Sequence, residues 1–180
     1  MGELFKKVKD YVTQYLTLGG VNLLKGKKVL IKNHFKNRFG GNFYFELQHG
    51  KIHFGNYINA RRNFCCIVSD GGNLSIGSNC YFNNNCSITC LYSITIGKDS
   101  TFGNNLVIVD HDHDFINHNG FIKAPVVIGE RVWIGANVTI LKGSNIGNDS
   151  VIAAGSIVSG SVPSNSIYIQ KRITTIKDKL

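Results

Sequence analysis

Imidazoles and carboxylates crowd together at His111-Asp-His113-Asp114, with His118 four residues further on. An imidazole changes charge near neutral pH, and a neighbouring carboxylate or backbone carbonyl fixes which ring nitrogen carries the proton. A group of that kind can take the proton of a hydroxyl that is itself scarcely ionised, which is general-base chemistry. His111 is the first candidate for such a base and His113 the second. His111 also begins an H-x-x-D pattern with Asp114. The five cysteines, Cys65, Cys66, Cys80, Cys86 and Cys90, contain no C-x-x-C pair and read as reduced core thiols rather than ligands or nucleophiles. His34, His49 and His53 lack ligand spacing and read as surface or packing residues.

The element that must carry this cluster is a repeat. From Ile128 to Pro163 the chain reads in sixes, opened by Ile128, Ile134, Ile140, Ile146, Ile152 and Val158. Four places after each opening stands a small or β-branched residue: Val132, Val138, Ser144, Ser150, Ser156 and Val162. Neither the helical nor the strand period gives this pattern, whereas a hexapeptide period belongs to parallel β-helices. The reading is an all-β triangular solenoid in which three short strands and three corners close a coil of about 18 residues. The opening aliphatic and the small residue both point inward, and Gly, Asn and Asp take left-handed corner angles. Phe54 opens the first clear unit, Asp70-Gly-Gly-Asn73 makes a wide corner, and the period resumes at Ile76, Phe82 and Ile88, slips by two, and resumes again at Ile96, Phe102 and Ile108. Residues 109–125 fit no hexapeptide and read as an extruded loop, the usual place for function in a solenoid.

Residues 3–18 put Leu4, Phe5, Val8, Tyr11, Val12, Tyr15 and Leu16 on one helical face and end at Gly19-Gly20. The division expected is a basic helical segment over 1–28, a β-helix domain over 29–165, and a cap or tail over 166–180. The net charge of +9 lies entirely in residues 1–62, with 12 Lys and Arg against Glu3, Asp10 and Glu46. That segment reads as a solvated face, or as one that meets an anionic membrane surface or an acidic polysaccharide. The repeat body carries no basic stripe of the kind nucleic acid needs, so no nucleic-acid partner is expected. No apolar run is long enough to span a bilayer or to act as a signal, so a cytoplasmic protein is expected.

The six units, with Val132-Trp-Ile-Gly-Ala136 and the run from Val151 to Val158, resemble the hexapeptide-repeat acyltransferases, above all the sugar and polysaccharide O-acetyltransferases. The resemblance covers about residues 54–163. It implies a left-handed parallel β-helix, acetyl-CoA as co-substrate, a carbohydrate acceptor, and homotrimers with active sites between subunits. By that resemblance the base lies at the root of the extruded loop, where His111 stands. Trp133 would lie beside the thioester or acceptor, and the Ala136 backbone N–H would stabilise the oxyanion. Many relatives carry Ser at position 136; alanine keeps the amide but removes a hydroxyl donor. Ala154, Ser159 and Gly160 would line the pantetheine groove, and Asn83, Asn85 and Asp114 the acceptor end.

A G-N-P-A-like turn near the CoA phosphates is replaced by Tyr168-Ile-Gln-Lys171-Arg172, whose basic residues would do the same work. The H-x-x-x-x-H spacing of His113 and His118 is similar to the zinc ligands of gamma-type carbonic anhydrases, which share the fold. The further imidazole those enzymes need would fall at Gly77, so no metal is expected. Two alternatives stand beside the O-acetyltransferase. One is an N-acetyltransferase of a nucleotide-linked amino sugar, or a serine-type acetyltransferase. The other is a solenoid scaffold without activity that binds an anionic surface.

Overall fold

The computed structural model describes residues 29–31 and 36–171; the expected N-terminal helix and Arg172 lie outside the described residues. The backbone winds through three parallel sheets of seven, seven and six strands, whose neighbours are one coil apart rather than consecutive in sequence. The first face runs through Val29–Ile31, Lys51–Phe54, Asn73–Ile76, Ser93–Ile96, Val126–Ile128, Asn145–Ile146 and Ser161–Val162. The second runs through Arg38–Phe39, Asn59–Ala60, Tyr81–Phe82, Thr101–Phe102, Trp133–Ile134 and Val151–Ile152. The third runs through Tyr44–Leu47, Cys65–Val68, Ser87–Cys90, Val107–Val109, Thr139–Ile140 and Ile157–Val158. A further strand, Ile167–Tyr168, pairs with Val151–Ile152, so the coil continues into the segment expected as tail.

The columns fall where the sixes put them. Ile128, Ile134, Ile140, Ile146, Ile152 and Val158 are all buried, as are the residues four places later, from Val132 to Val162. Buried serines there are satisfied by carbonyls: Ser144 donates to the Leu141 oxygen at 2.7 Å, and Ser150 donates to the Pro163 oxygen at 2.8 Å. Cys80 and Cys86 occupy the same inward corner positions lower down, and Cys66 and Cys90 lie inside the third face. The lower coils are filled by phenylalanines, with Phe82 stacked on Phe102 at 4.4 Å. Each coil advances about 4.8 Å along the axis, the spacing of paired strands.

The corner between the second and third faces is held by an asparagine ladder. Asn63, Asn85, Asn105 and Asn137 all adopt left-handed φ near 60°. Each amide donates to the carbonyl of the one above, at 2.8, 3.0 and 2.8 Å. The corner between the first and second faces is closed by charge instead: Arg131 Nε donates to Asp149 at 2.6 Å, and Asn79 donates to Asp99 at 2.9 Å.

The interruption at 109–125 is a β-hairpin rather than an irregular loop. His111–His113 pairs antiparallel with Phe121–Lys123, so His113 faces Phe121 across the ladder. It leaves the corner between the third and first faces and returns to the first face at Val126.

Candidate active site

His111 begins the hairpin one residue after Asp110, and the two form the centre of the site. The third-face register pairs Val109 with Thr89, so the next residue, Asp110, sits above Cys90, and both are buried. An unpaired carboxylate in such a column would be prohibitively costly. Asp110 is fully paired: it accepts from the Leu91 N–H at 2.9 Å and the Tyr92 N–H at 2.8 Å. His111 Nδ1 lies 3.1 Å from the same carboxylate, with 14% of its side chain exposed. A neutral imidazole in that contact carries its proton on Nδ1 and presents Nε2 as acceptor, and Nε2 has no partner among the described residues. The Phe121 ring packs edge-on to His111 at 5.2 Å and fixes the ring plane from the opposite strand.

The hairpin is braced on both sides. Lys123 pairs with Asp70, and Lys142 pairs with Asp112 at 3.0 Å. His113 is exposed and leans on Phe121 at 4.8 Å, with no carboxylate partner among the described residues. Asp114 caps the hairpin turn by accepting from the Asn117 N–H at 2.9 Å and the Ile116 N–H at 3.1 Å. The Asn117 N–H and amide hold its carboxyl below the ordinary range. The H-x-x-D pattern is therefore a turn cap. The carboxylate on His111 is Asp110, which sequence reasoning missed. His118 sits in the same turn with φ 49°, and no group of three or more potential metal ligands forms among the described residues.

The remaining candidates fall into two groups. Trp133 stands on the outside of the second face, 58% exposed, in the column Tyr81, Thr101, Trp133, Val151. Three residues on, at the corner between the second and third faces, the same register stacks Asn84, Asn104, Ala136 and Ala154. Two amides lower in this column are each capped by the asparagine above. The Arg62 N–H donates to Asn84 Oδ1 at 3.3 Å, and the Asn84 N–H donates to Asn104 Oδ1 at 3.2 Å. Above Ala136 stands Ala154, which has no side-chain acceptor, and among the described residues nothing accepts from the Ala136 N–H. The coils are pressed together at this point: a Cβ on Gly135 would lie 2.6 Å from the Ala154 nitrogen.

Asn83 and Asn85 sit at this corner one coil below Asn104. The Asn85 amide is engaged on both sides by the ladder, while Asn83 Oδ1 accepts from the Asn84 N–H at 3.0 Å.

Ser159 and Gly160 lie at the other corner, after the third face, on the same edge as His111 and two coils above it. Lys171 is exposed just past the last strand. Within one chain, His111 and the Trp133–Ala136–Ala154 group thus stand at different edges of the prism.

The repeat is matched by two family models, "Bacterial transferase hexapeptide (six repeats)" over residues 125–160 and "Hexapeptide repeat of succinyl-transferase" over 73–109. Over 131 residues the chain is 33% identical to the putative lipopolysaccharide biosynthesis O-acetyl transferase WbbJ of Escherichia coli, covering 66% of this chain and 67% of that protein. It is 41% identical over 103 residues to the galactoside O-acetyltransferase of the same organism, covering 55% of this chain and about half (51%) of the relative. Among solved structures, a hexapeptide-repeat-containing acetyltransferase of Vibrio cholerae, complexed with acetyl coenzyme A, is 26% identical. That match has a TM-score of 0.51 and covers 67% of this chain and 66% of the other. An N-acyltransferase of Bacillus cereus superposes with a TM-score of 0.64 over 88% of each chain, at 18% identity, a likeness of fold. With the inward columns, the hairpin at the coil break and a WbbJ match spanning two thirds of that protein, the chain belongs to the hexapeptide-repeat acyltransferases and is related to their sugar O-acetyltransferases.

Proposed function

We propose that this chain transfers acetyl from acetyl-CoA to a hydroxyl of a sugar or surface polysaccharide, with His111 as general base. The observation that carries the reading is the Asp110–His111 contact at the root of the hairpin, which leaves Nε2 open. The acceptor hydroxyl gives its proton to Nε2 as its oxygen attacks the thioester carbonyl. The carbonyl oxygen becomes an oxyanion held by the unpaired Ala136 N–H. Collapse of that intermediate breaks the C–S bond, and the imidazolium returns the proton to the departing thiolate. The Asp110 carboxylate faces Nδ1 and stabilises the imidazolium.

One chain does not hold both halves of this site at one edge, so a second copy completes it. In a closed three-fold ring with its axis along the solenoid, every residue keeps its height from copy to copy. His111 leaves the coil of Val107–Val109, and Ala136 lies in the next coil up, so the base of one copy faces the amide of its neighbour within one strand spacing, about 4.8 Å, in height. One wall of the cleft carries His111, Ser159 and Gly160, the other Trp133, Ala136 and Ala154. The pantetheine arm runs upward between the small residues of both walls, toward Lys171. The acceptor lies below, against Asn83.

The test is thiol release from acetyl-CoA with a panel of glycan and amino-sugar acceptors. His111→Ala is expected to lose about 10²- to 10⁴-fold in turnover while His113→Ala stays near wild type. Near-full turnover in His111→Ala overturns the assignment. An alkali-stable product marks an amide and turns the reading to an N-acetyltransferase.

A further inference from the structure

Among the described residues the cations divide by coil, with Lys171 past the last strand standing apart. In the upper body Lys98, Lys123, Arg131 and Lys142 each pair with a carboxylate: Glu130, Asp70, Asp149 and Asp112. In the lower coils Lys36, Arg38, Lys51, Arg61 and Arg62 are all exposed, and none has a carboxylate partner among the described residues. Between residues 36 and 68 the one carboxylate is Glu46, which points out of the third face and is held by Tyr44 and Gln48.

Four of the five cations border the second face. Lys36 lies over the Tyr57 ring at 5.2 Å, and Arg38 stands directly below Asn59. The register Ala60 to Phe82 stacks Arg61 under Asn83 and Arg62 under Asn84. The patch therefore begins one coil, about 4.8 Å, below the candidate acceptor residue on the same wall of the cleft.

We infer that the acceptor is an anionic glycan, whose charged units beyond the acetylated sugar lie along the second face against Arg61, Arg62 and Arg38. This rests on the transferase reading above, which puts the thioester arm in the upper coils and leaves the lower coils to the acceptor. Unpaired cations on rigid corners attract a polyanion over several ångströms and fix its direction of approach. That attraction is screened by salt.

The full chain is tested by fluorescence anisotropy against labelled oligogalacturonate and an uncharged galactan oligomer of equal length, across a range of sodium chloride. Oligogalacturonate is expected to bind about tenfold tighter than galactan at low salt and to lose that advantage as salt rises. Arg61→Glu/Arg62→Glu abolishes the preference and Arg61→Gln/Arg62→Gln reduces it, both melting within about 2 °C of wild type because these are exposed corner positions.

Equal binding of charged and neutral oligomers overturns the inference, as does a preference that survives the charge reversal. Arg61- and Arg62-dependent sedimentation with phosphatidylglycerol vesicles, without oligogalacturonate binding, assigns the patch to a membrane surface and also overturns it. Calorimetry with acetyl-CoA separates the two levels. No heat of binding sinks the transferase reading and this inference with it, whereas heat without charge preference sinks this inference alone.

Discussion

Asp110 and His111 are sequence neighbours that end up on opposite sides of the prism wall, one in the core and one at the surface, yet joined at 3.1 Å. This is possible because strand alternation turns successive side chains in and out, and the hairpin departs at that residue. The Leu91 and Tyr92 amides pin the carboxylate, so the imidazole inherits its orientation from the coil below. Asp110→Asn keeps one acceptor oxygen but presents an amide where a carboxylate stood. It is expected to cost about 10²-fold or more in kcat, with acetyl-CoA affinity little changed. Asp110→Ala, which orphans one buried and one part-buried amide, is expected to lose about 1–3 kcal/mol of stability as well. Full kcat in Asp110→Asn, measured by thiol release, would remove Asp110 from the site.

The repeat was legible because buried columns leave a period of six in the sequence, and Ile128 to Val162 follow it without exception. Asp110 was not legible, because an inward aspartate contradicts the apolar rule by which the columns are read. Counting two residues on from the buried Ile108 would have flagged it as a core position. The hairpin was hidden for a related reason. Its strands are three residues each, too short for a clear alternation between Val109 and Pro125. Asp114 drew attention by its spacing from His111, and that spacing reflects a turn that needed a cap.

The free Ala136 amide exists because the asparagine column ends beneath Ala136 and Ala154. Ala154→Asn is expected to extend that column, placing an amide oxygen over the Ala136 N–H as Asn104 does over Asn84. If the Ala136 N–H holds the oxyanion as proposed, occupying it should lower kcat by about 10²-fold with little change in melting temperature. Ala154→Val adds bulk without an acceptor and should raise the KM for acetyl-CoA instead. Identical kinetics for the two variants would mean the amide plays no part beyond the shape of the groove.

If the cleft takes one wall from each of two copies, two dead variants can rescue each other. His111→Ala spoils one wall and Ala154→Asn the other, so mixed rings contain some clefts with both walls intact. Random co-assembly in equal amounts gives about a quarter of the clefts both good walls, and about a quarter of wild-type turnover is expected. Mixing without subunit exchange serves as the baseline. Co-refolded mixtures no more active than that baseline would place the whole site within one chain.

Burial pushes the thiols of Cys80 and Cys86 up to about 11 and that of Cys90 up to about 12. In the unfolded chain these thiols ionise from about pH 9 upward, while the native chain keeps them protonated. Unfolding then releases protons, so stability present below pH 9 is lost as pH climbs through about 9 to 11, at roughly 1.4 kcal/mol per pH unit for each thiol. Serine already serves at the equivalent corners as Ser100 and Ser156, and Cys80 Sγ lies 3.2 Å from the Gly97 oxygen, where a hydroxyl could donate. Cys80→Ser/Cys86→Ser is therefore expected to match wild type within about 1 kcal/mol at pH 7.5 and to fall off less steeply above pH 9. Urea titrations at pH 7.5, 9 and 10.5 read this directly, and parallel curves for the two proteins would show that the buried thiols do not govern alkaline unfolding.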